Sequence, residues 1–189
     1  PDWEGKRLGD VCSNIAYGIN AAATSYDGKN KYLRITDIDE SSNGLNTDKL
    51  TSPDGLIEDK FRVKVGDILF ARTGASVGKS YLYRSLDGIL YFAGFLIRFH
   101  VNEGIPSFVY MQTQTSRYKK WVKVMSMRSG QPGINAEEYK SFKVNFPCLE
   151  EQEKIATFLS GIDAKIESVA NQITHTQAFK KGLLQKMFV

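Results

Sequence analysis

The chain has 189 residues, of which 42% are hydrophobic, enough for one globular domain with an appended segment. Its formal charge of +4 is modest, and the absence of any twenty-residue apolar run or signal-like start predicts a cytoplasmic protein without a membrane span. The two cysteines, Cys12 and Cys148, lack His or Cys neighbours at metal-ligand spacing, so the sequence offers no zinc site.

Short strands between turn residues dominate the first hundred positions. Alternating apolar and polar residues predict strands at 31–36, 61–65, 68–71 and 80–84. Residues 89–101 could form one long strand or two short ones. A sheet is therefore expected at the centre of this part of the chain.

A helical pattern begins at Pro106. Phe108, Met111, Thr115, Tyr118, Val122 and Met125 share one predicted face. The other face carries Arg117, Lys119, Lys120 and Lys123. Such a basic face either contacts nucleic acid or is simply solvated.

A glycine- and proline-rich loop follows at 128–135. Asn135 with Glu137 and Glu138 after it is typical of a helix N-cap, which predicts a short helix. A last strand is expected at 142–146, before Pro147.

The final segment carries a heptad-like apolar repeat. Read from residue 151 to 188, it would form a helix roughly 57 Å long. Thr176 and Lys180 interrupt the stripe, which favours an antiparallel partner helix over a uniform parallel zipper. The predicted pairing residues are Ile155, Leu159, Ile162, Ile166, Val169, Ile173, Leu183 and Met187.

Positive charge is concentrated in the middle of the chain. Residues 1–60 contain seven basic and eleven acidic side chains, whereas residues 61–143 contain thirteen basic and five acidic ones. A concentrated basic region is the electrostatic pattern expected of a protein that binds phosphate groups.

Residues 74–80, GASVGKS, resemble a phosphate-binding P-loop. Only three residues separate the two glycines where a P-loop has four, so ATP hydrolysis by this loop is not expected. The loop could be a plain turn between strands. Alternatively, Arg72, Thr73, Ser76 and Lys79 could present hydrogen-bond donors to DNA from an exposed, flexible loop. Neither His100 nor His175 has an obvious nucleophile partner, so no catalytic residue and no cofactor is predicted.

The order of several short motifs resembles the specificity subunit of type I restriction-modification systems. The resemblance is carried by RLGDV at 7–11, YLRITDI at 32–38, GDILFARTG at 66–74, SGQ at 129–131, and the EQ–KIA–L–ID pattern at 151–163. It implies a non-catalytic protein that selects the DNA sequence for methyltransferase subunits and, in the full complex, for restriction subunits. Family members usually carry two recognition domains and two antiparallel helices, so this chain resembles one half, either a half-length subunit or a fragment.

These observations together predict an α+β protein. We expect a mixed-sheet target recognition domain at 1–146 and a long coiled-coil helix at 147–189, which pairs antiparallel with a second copy or with the second half of the same subunit. The residues expected to face double-stranded DNA are Tyr17, Asn20, Arg34, Arg72, Thr73, Ser76, Lys79, Arg128, Ser129 and Gln131. Two alternatives remain at this stage: a coiled-coil assembly protein whose head binds another protein, and a nucleotide-binding enzyme that uses residues 74–80.

Overall fold

The centre of the structure is a four-stranded antiparallel sheet. A computed structural model describes residues 3–39, 42–127 and 130–188. The sheet has the order β2-β9-β6-β7, formed by Cys12–Tyr17, Leu96–Val101, Asp67–Ala71 and Ser80–Leu82. Every residue of β6 is buried, which explains its unbroken apolar sequence ILFA.

Two hydrophobic cores lie on opposite faces of β6. Ile68 and Phe70 belong to the core beneath the helices, whereas Leu69 and Ala71 belong to the other core. Because successive strand residues point to opposite faces, a single strand can serve both cores. Phe70 is the aromatic centre of the first core, with ring centroids 4.8 Å from Tyr139 and 5.3 Å from Phe99.

Three two-stranded pairs surround this sheet. Antiparallel β1 and β10 are Glu4–Arg7 and Lys143–Phe146. They pair the two ends of the globular part of the chain, residues 3–146, which is called the head. Antiparallel β3 and β5 are Ala23–Ser25 and Thr51–Pro53. Parallel β4 and β8 are Lys31–Leu33 and Leu90–Phe92. Together with four α-helices, these mixed strands confirm the predicted α+β class.

The helices are α1 at Pro106–Gln112, α2 at Ser116–Ser126, α3 at Ala136–Lys140 and α4 at Leu149–Met187. Helix α3 begins as predicted: the Asn135 side chain accepts the Glu138 N–H, and the Glu138 carboxylate accepts the Asn135 N–H. This reciprocal capping box satisfies two amide donors at the helix start.

Four predicted elements differ from the structure, and among them the strand predicted at 80–84 ends at Leu82. The predicted strand at 61–65 is wrong, because Phe61 belongs to a turn of 3-10 helix at Asp59–Phe61 and the Asp67 carboxylate accepts the Lys64 N–H at 2.7 Å. The strand predicted at 31–36 ends at Leu33, where the Asp37 carboxylate accepts the Arg34 N–H.

The single helix predicted from Pro106 is interrupted. Thr113 directs its hydroxyl back to the Tyr110 carbonyl at 2.6 Å, and Thr115 caps a new helix by accepting the Tyr118 N–H. Threonine hydroxyls compete with the helix ladder in this way. Thr115 is therefore exposed at a helix start and does not lie on the buried face.

Helix α4 spans 39 residues and stays close to the head as far as Glu167, whose carboxylate lies 4.0 Å from the Arg84 guanidinium. Only Gln152 and Ala156 are buried among its described residues. In the described part of the chain, no helix has the length and apolar character that crossing a membrane requires.

Candidate nucleic-acid interface

A cavity of about 650 Å³ opens beside one end of the central sheet. Tyr17, Asn20, Arg34 and Arg72 all line it. Four predicted DNA-facing residues from three separate sequence regions therefore meet at one surface. Two arginines and no carboxylate are found among the described residues that line the cavity, and the charge of one of them, Arg34, is balanced by Asp37 just outside the lining.

Gly18 allows the 17–20 segment to reach this position. A Cβ atom at Gly18 would lie 2.3 Å from the Phe92 carbonyl oxygen, closer than any side chain permits. The next residue, Ile19, donates its N–H to the same Phe92 oxygen at 2.8 Å. The close backbone approach thus fixes the segment that presents Tyr17 and Asn20.

Arg72 and Tyr17 form a stacked pair at the cavity wall. The Arg72 guanidinium carbon lies 4.9 Å from the Tyr17 ring centroid, within cation–π range. The Tyr17 hydroxyl accepts the Ala136 N–H at 3.2 Å, which ties the ring to the start of α3. Tyr17 nevertheless remains 42% exposed, so its ring is open to a ligand.

Arg34 is held by a carboxylate. Its Nε and one terminal nitrogen each donate to Asp37 at 2.8 Å, and this hydrogen bonding raises the pKa of Arg34. Asp37 is buried, and it also accepts the Arg34 backbone N–H. The pair anchors the local turn, so Arg34 has fewer donors for DNA than Arg72.

The two predicted recognition loops lie side by side. Thr73 forms an antiparallel bridge with Gly133, and the Gly74 N–H donates to the Pro132 carbonyl at 3.0 Å. Gln131 Nε2 is 3.3 Å from the position that a Gly74 Cβ would occupy. Thr73 and Gln131 are therefore neighbours, as a shared interface requires.

Ser76 and Lys79 belong to the same loop between β6 and β7. Both side chains are partly buried, so the expectation of an exposed loop is wrong at these positions. The loop packs against α2, where Gly78 has a positive φ of 87° and lies against Val122. The predicted residues Arg128 and Ser129 lie outside the described part of the chain.

The loop at 74–80 has a different geometry from a P-loop. It connects two antiparallel strands, whereas a P-loop leads from a strand into a helix. Its backbone N–H groups at Gly74, Val77, Gly78 and Lys79 already donate to carbonyl oxygens. These donors are engaged within the fold and do not form a phosphate cradle.

Sequence reasoning missed Phe95. This aromatic residue is 57% exposed and lines the cavity, and its carbonyl accepts the Arg72 N–H at 3.0 Å. Its position after Gly94, in the turn between β8 and β9, could have indicated an exposed aromatic residue. An aromatic side chain at a turn between two strands is more often exposed than one within a strand.

A second surface extends along α4. The predicted pairing residues from Leu159 onward are 37–71% exposed, whereas Ile155 is partly buried at the head. Phe179, which was expected to rotate into the stripe where Thr176 and Lys180 interrupt it, is also exposed, as are Phe158 and Leu184, which were not predicted. An exposed apolar stripe of this extent is typical of a surface that binds a partner.

Gln152 fixes the start of this helix. Its Oε1 accepts the Ile105 N–H at 3.0 Å, and its Nε2 donates to the Pro147 carbonyl at 2.9 Å. The adjoining turns pack on α1, where burial and then the Asp163 carboxylate raise the pKa of Tyr110 to about 12. The helix therefore leaves the head from a hydrogen-bonded joint.

The chain is similar to known proteins of one family over nearly its whole length. The family model described as "Type I restriction modification DNA specificity domain" matches residues 1–175. A putative type I restriction enzyme MjaX specificity subunit from Methanocaldococcus jannaschii is 29% identical over 99% of this chain and 45% of its own length. The HindI specificity subunit from Haemophilus influenzae is 27% identical over the whole chain and 41% of its own length.

Solved structures show the same fold. The S subunit of a type I restriction-modification system from M. genitalium has a TM-score of 0.72 and is 16% identical. Its alignment covers 99% of this chain and 46% of the S subunit. The HsdS subunit from Thermoanaerobacter tengcongensis has a TM-score of 0.62 and is 18% identical. Its alignment covers 98% of this chain and 44% of the HsdS chain. The chain spans less than half the length of these relatives.

Proposed function

Because the chain belongs to the type I restriction modification DNA specificity family, we propose that its head reads one half of a bipartite double-stranded DNA target. In this proposal the chain is a non-catalytic specificity component that directs methyltransferase subunits and, in the full complex, restriction subunits. The observation that carries it is the Arg72–Tyr17 pair at a cavity lined without carboxylates, beside the paired loops that hold Thr73 and Gln131.

The chemistry of this surface suits base edges in the major groove. Arginine makes a two-point contact with guanine, and asparagine or glutamine makes one with adenine. Arg72, Asn20 and Gln131 supply these groups from one side of the head. Tyr17 and Phe95 add exposed aromatic surface, which suits contact with a thymine methyl group or the sugar backbone.

The long helix would set the distance between two half-sites. Its 39 residues correspond to about 58 Å of rise. An antiparallel second helix would cover the exposed apolar stripe and place a second head at the opposite end. That helix comes from a second copy of this chain or from the other half of a longer polypeptide, which the greater length of the relatives supports.

Replacing Arg72 with alanine tests the DNA-reading proposal. The chain would be assembled with its methyltransferase subunits, and duplexes selected from a random pool would be titrated by fluorescence anisotropy. Loss of a two-point base contact should weaken binding to the selected duplex about 10- to 100-fold, corresponding to about 1–3 kcal/mol.

Arg62→Ala is the matched control, because Arg62 is exposed and does not line the cavity. The control should bind like the unaltered chain. Equal affinities for all three proteins would contradict the proposed reading role of Arg72. A complex that selects no sequence from the pool would contradict DNA reading altogether and favour a head that binds protein.

A further inference from the structure

Helix α2 presents a basic face that the recognition surface described above does not include. Lys119, Lys120 and Lys123 are exposed, and Arg117 continues the same side of the helix. Lys119 and Lys123 are four residues apart, while Lys120 and Lys123 are three apart, so these side chains are neighbours on the helix surface. The outcome is a continuous cationic strip.

The strip has no compensating carboxylates close by in sequence. Residues 104–136 contain no Asp or Glu. Among the ion pairs between described residues, none involves Lys119, Lys120 or Lys123. Like charges at these helical spacings repel one another and destabilise the helix. The cost to the helix is small for each pair of lysines, and an anion lying over the strip would remove that cost.

The opposite face of α2 fixes the helix beside the recognition loop. The Tyr118 hydroxyl donates to the Gly78 carbonyl at 2.9 Å. A Cβ at Gly78 would lie 2.4 Å from Val122 Cγ1, so loop and helix are in direct contact. Gly78 belongs to the same loop as Thr73, whose neighbour Arg72 lines the cavity. The cationic strip and the cavity thus belong to one rigid part of the head.

We propose that the exposed face of α2 binds the phosphate backbone of the duplex flanking the half-site that the head reads. This inference rests on the proposed DNA-reading function and adds a second contact surface to it. Lysine acts as a point charge for phosphate and is depleted at the centres of protein interfaces, so the composition of the strip favours nucleic acid. The contact supplies affinity and orientation and carries no sequence information.

The salt dependence of DNA binding tests this contact. The chain, assembled with its methyltransferase subunits, would be titrated with a fluorescein-labelled duplex at a series of KCl concentrations, before and after the combined change Lys119→Gln, Lys120→Gln and Lys123→Gln. Each lost phosphate contact lowers the slope of log K against log[KCl] by about 0.9, so the triple variant should have a slope about 2.7 less steep.

A matched control removes three charges from the long helix at positions outside its apolar stripe: Lys165→Gln, Lys181→Gln and Lys186→Gln. All six lysines are exposed on helices, so both triple variants should retain the circular dichroism spectrum of the unaltered chain. The control should keep the full slope. Equal loss of slope in both variants would show a net-charge effect and overturn the proposal.

The outcomes separate this inference from the proposed function. If the complex that contains the unaltered chain binds no DNA at any salt concentration, both fail. If it binds and the α2 variant has an unchanged slope, only the α2 contact fails. Val124 and Met127 are exposed at the edge of the strip. An α2 variant that keeps the slope but no longer co-elutes with the methyltransferase subunit would therefore assign this face to a protein partner, which also overturns the proposal.

Discussion

The head and the long helix differ in how far their apolar side chains are buried. In β6 of the head, every side chain is buried between two cores. In α4, the apolar residues from Leu159 to Met187 are 37–71% exposed. The head buries its apolar side chains against one another, whereas most of the long helix leaves its large apolar side chains exposed. In the proposed function, the head reads DNA and the helix sets the spacing between half-sites.

The largest difference is expected between two phenylalanine substitutions. Phe70→Ala in the first core should lower the free energy of unfolding by about 3–5 kcal/mol, because it leaves a cavity among Phe99, Tyr139 and Tyr118. Phe179→Ala on the exposed helix should change it by less than about 0.5 kcal/mol in the isolated chain. Chemical denaturation followed by tryptophan fluorescence would measure both. Similar losses would contradict the contrast between the two regions.

Pairing of the long helix should respond to a charge in its apolar stripe. Ile162→Lys should weaken self-association by about 3 kcal/mol, on the order of 100-fold, because each copy would place an unpaired charge in the seam. Asn171→Lys, on the opposite side of the helix, is the control and should dimerise normally. Analytical ultracentrifugation measures the outcome. A monomer for the unaltered chain as well would assign the partner helix to another segment of a longer polypeptide.

A substitution at Gln152, where the long helix joins the head, should have a smaller effect on the free energy of unfolding. Gln152→Leu removes one acceptor and one donor in a buried site, at a cost of about 1–3 kcal/mol. Gln172→Leu is a matched exposed control on the same helix, for which little change is expected. Distances between spin labels on the head and on the far end of α4 should broaden only in the Gln152 variant. An unchanged distance distribution would show that Gln152 does not orient the helix.

Local sequence signals predicted the elements that local interactions determine. The Asn135 N-cap and the strand β6 were both correctly predicted, because the partners of the cap lie within a few residues and the strand follows from its apolar run between turn residues. The helix interruption between Thr113 and Thr115 was not predicted. It depends on the Thr113 hydroxyl contacting Ser80, which lies 33 residues away.

Four of the residues predicted to face DNA line the cavity, but the shape of the cavity was not predicted. Tyr17, Asn20, Arg34 and Arg72 were selected individually, but the cavity exists because Gly18 packs against the Phe92 and Ala93 carbonyls. Such a long-range backbone contact has no local signature. The Arg34–Asp37 pair, by contrast, has a spacing of three residues and could have been inferred as a structural ion pair.

The assignment of DNA reading to the cavity is tested most directly by mapping methylated sites in cells that carry the intact system. With Arg72→Gln, we expect an unchanged distance between half-sites and a relaxed base preference at one position in each half-site that this head reads. An unchanged motif with normal methylation would contradict the assignment, as would a change in half-site distance with every base preference retained.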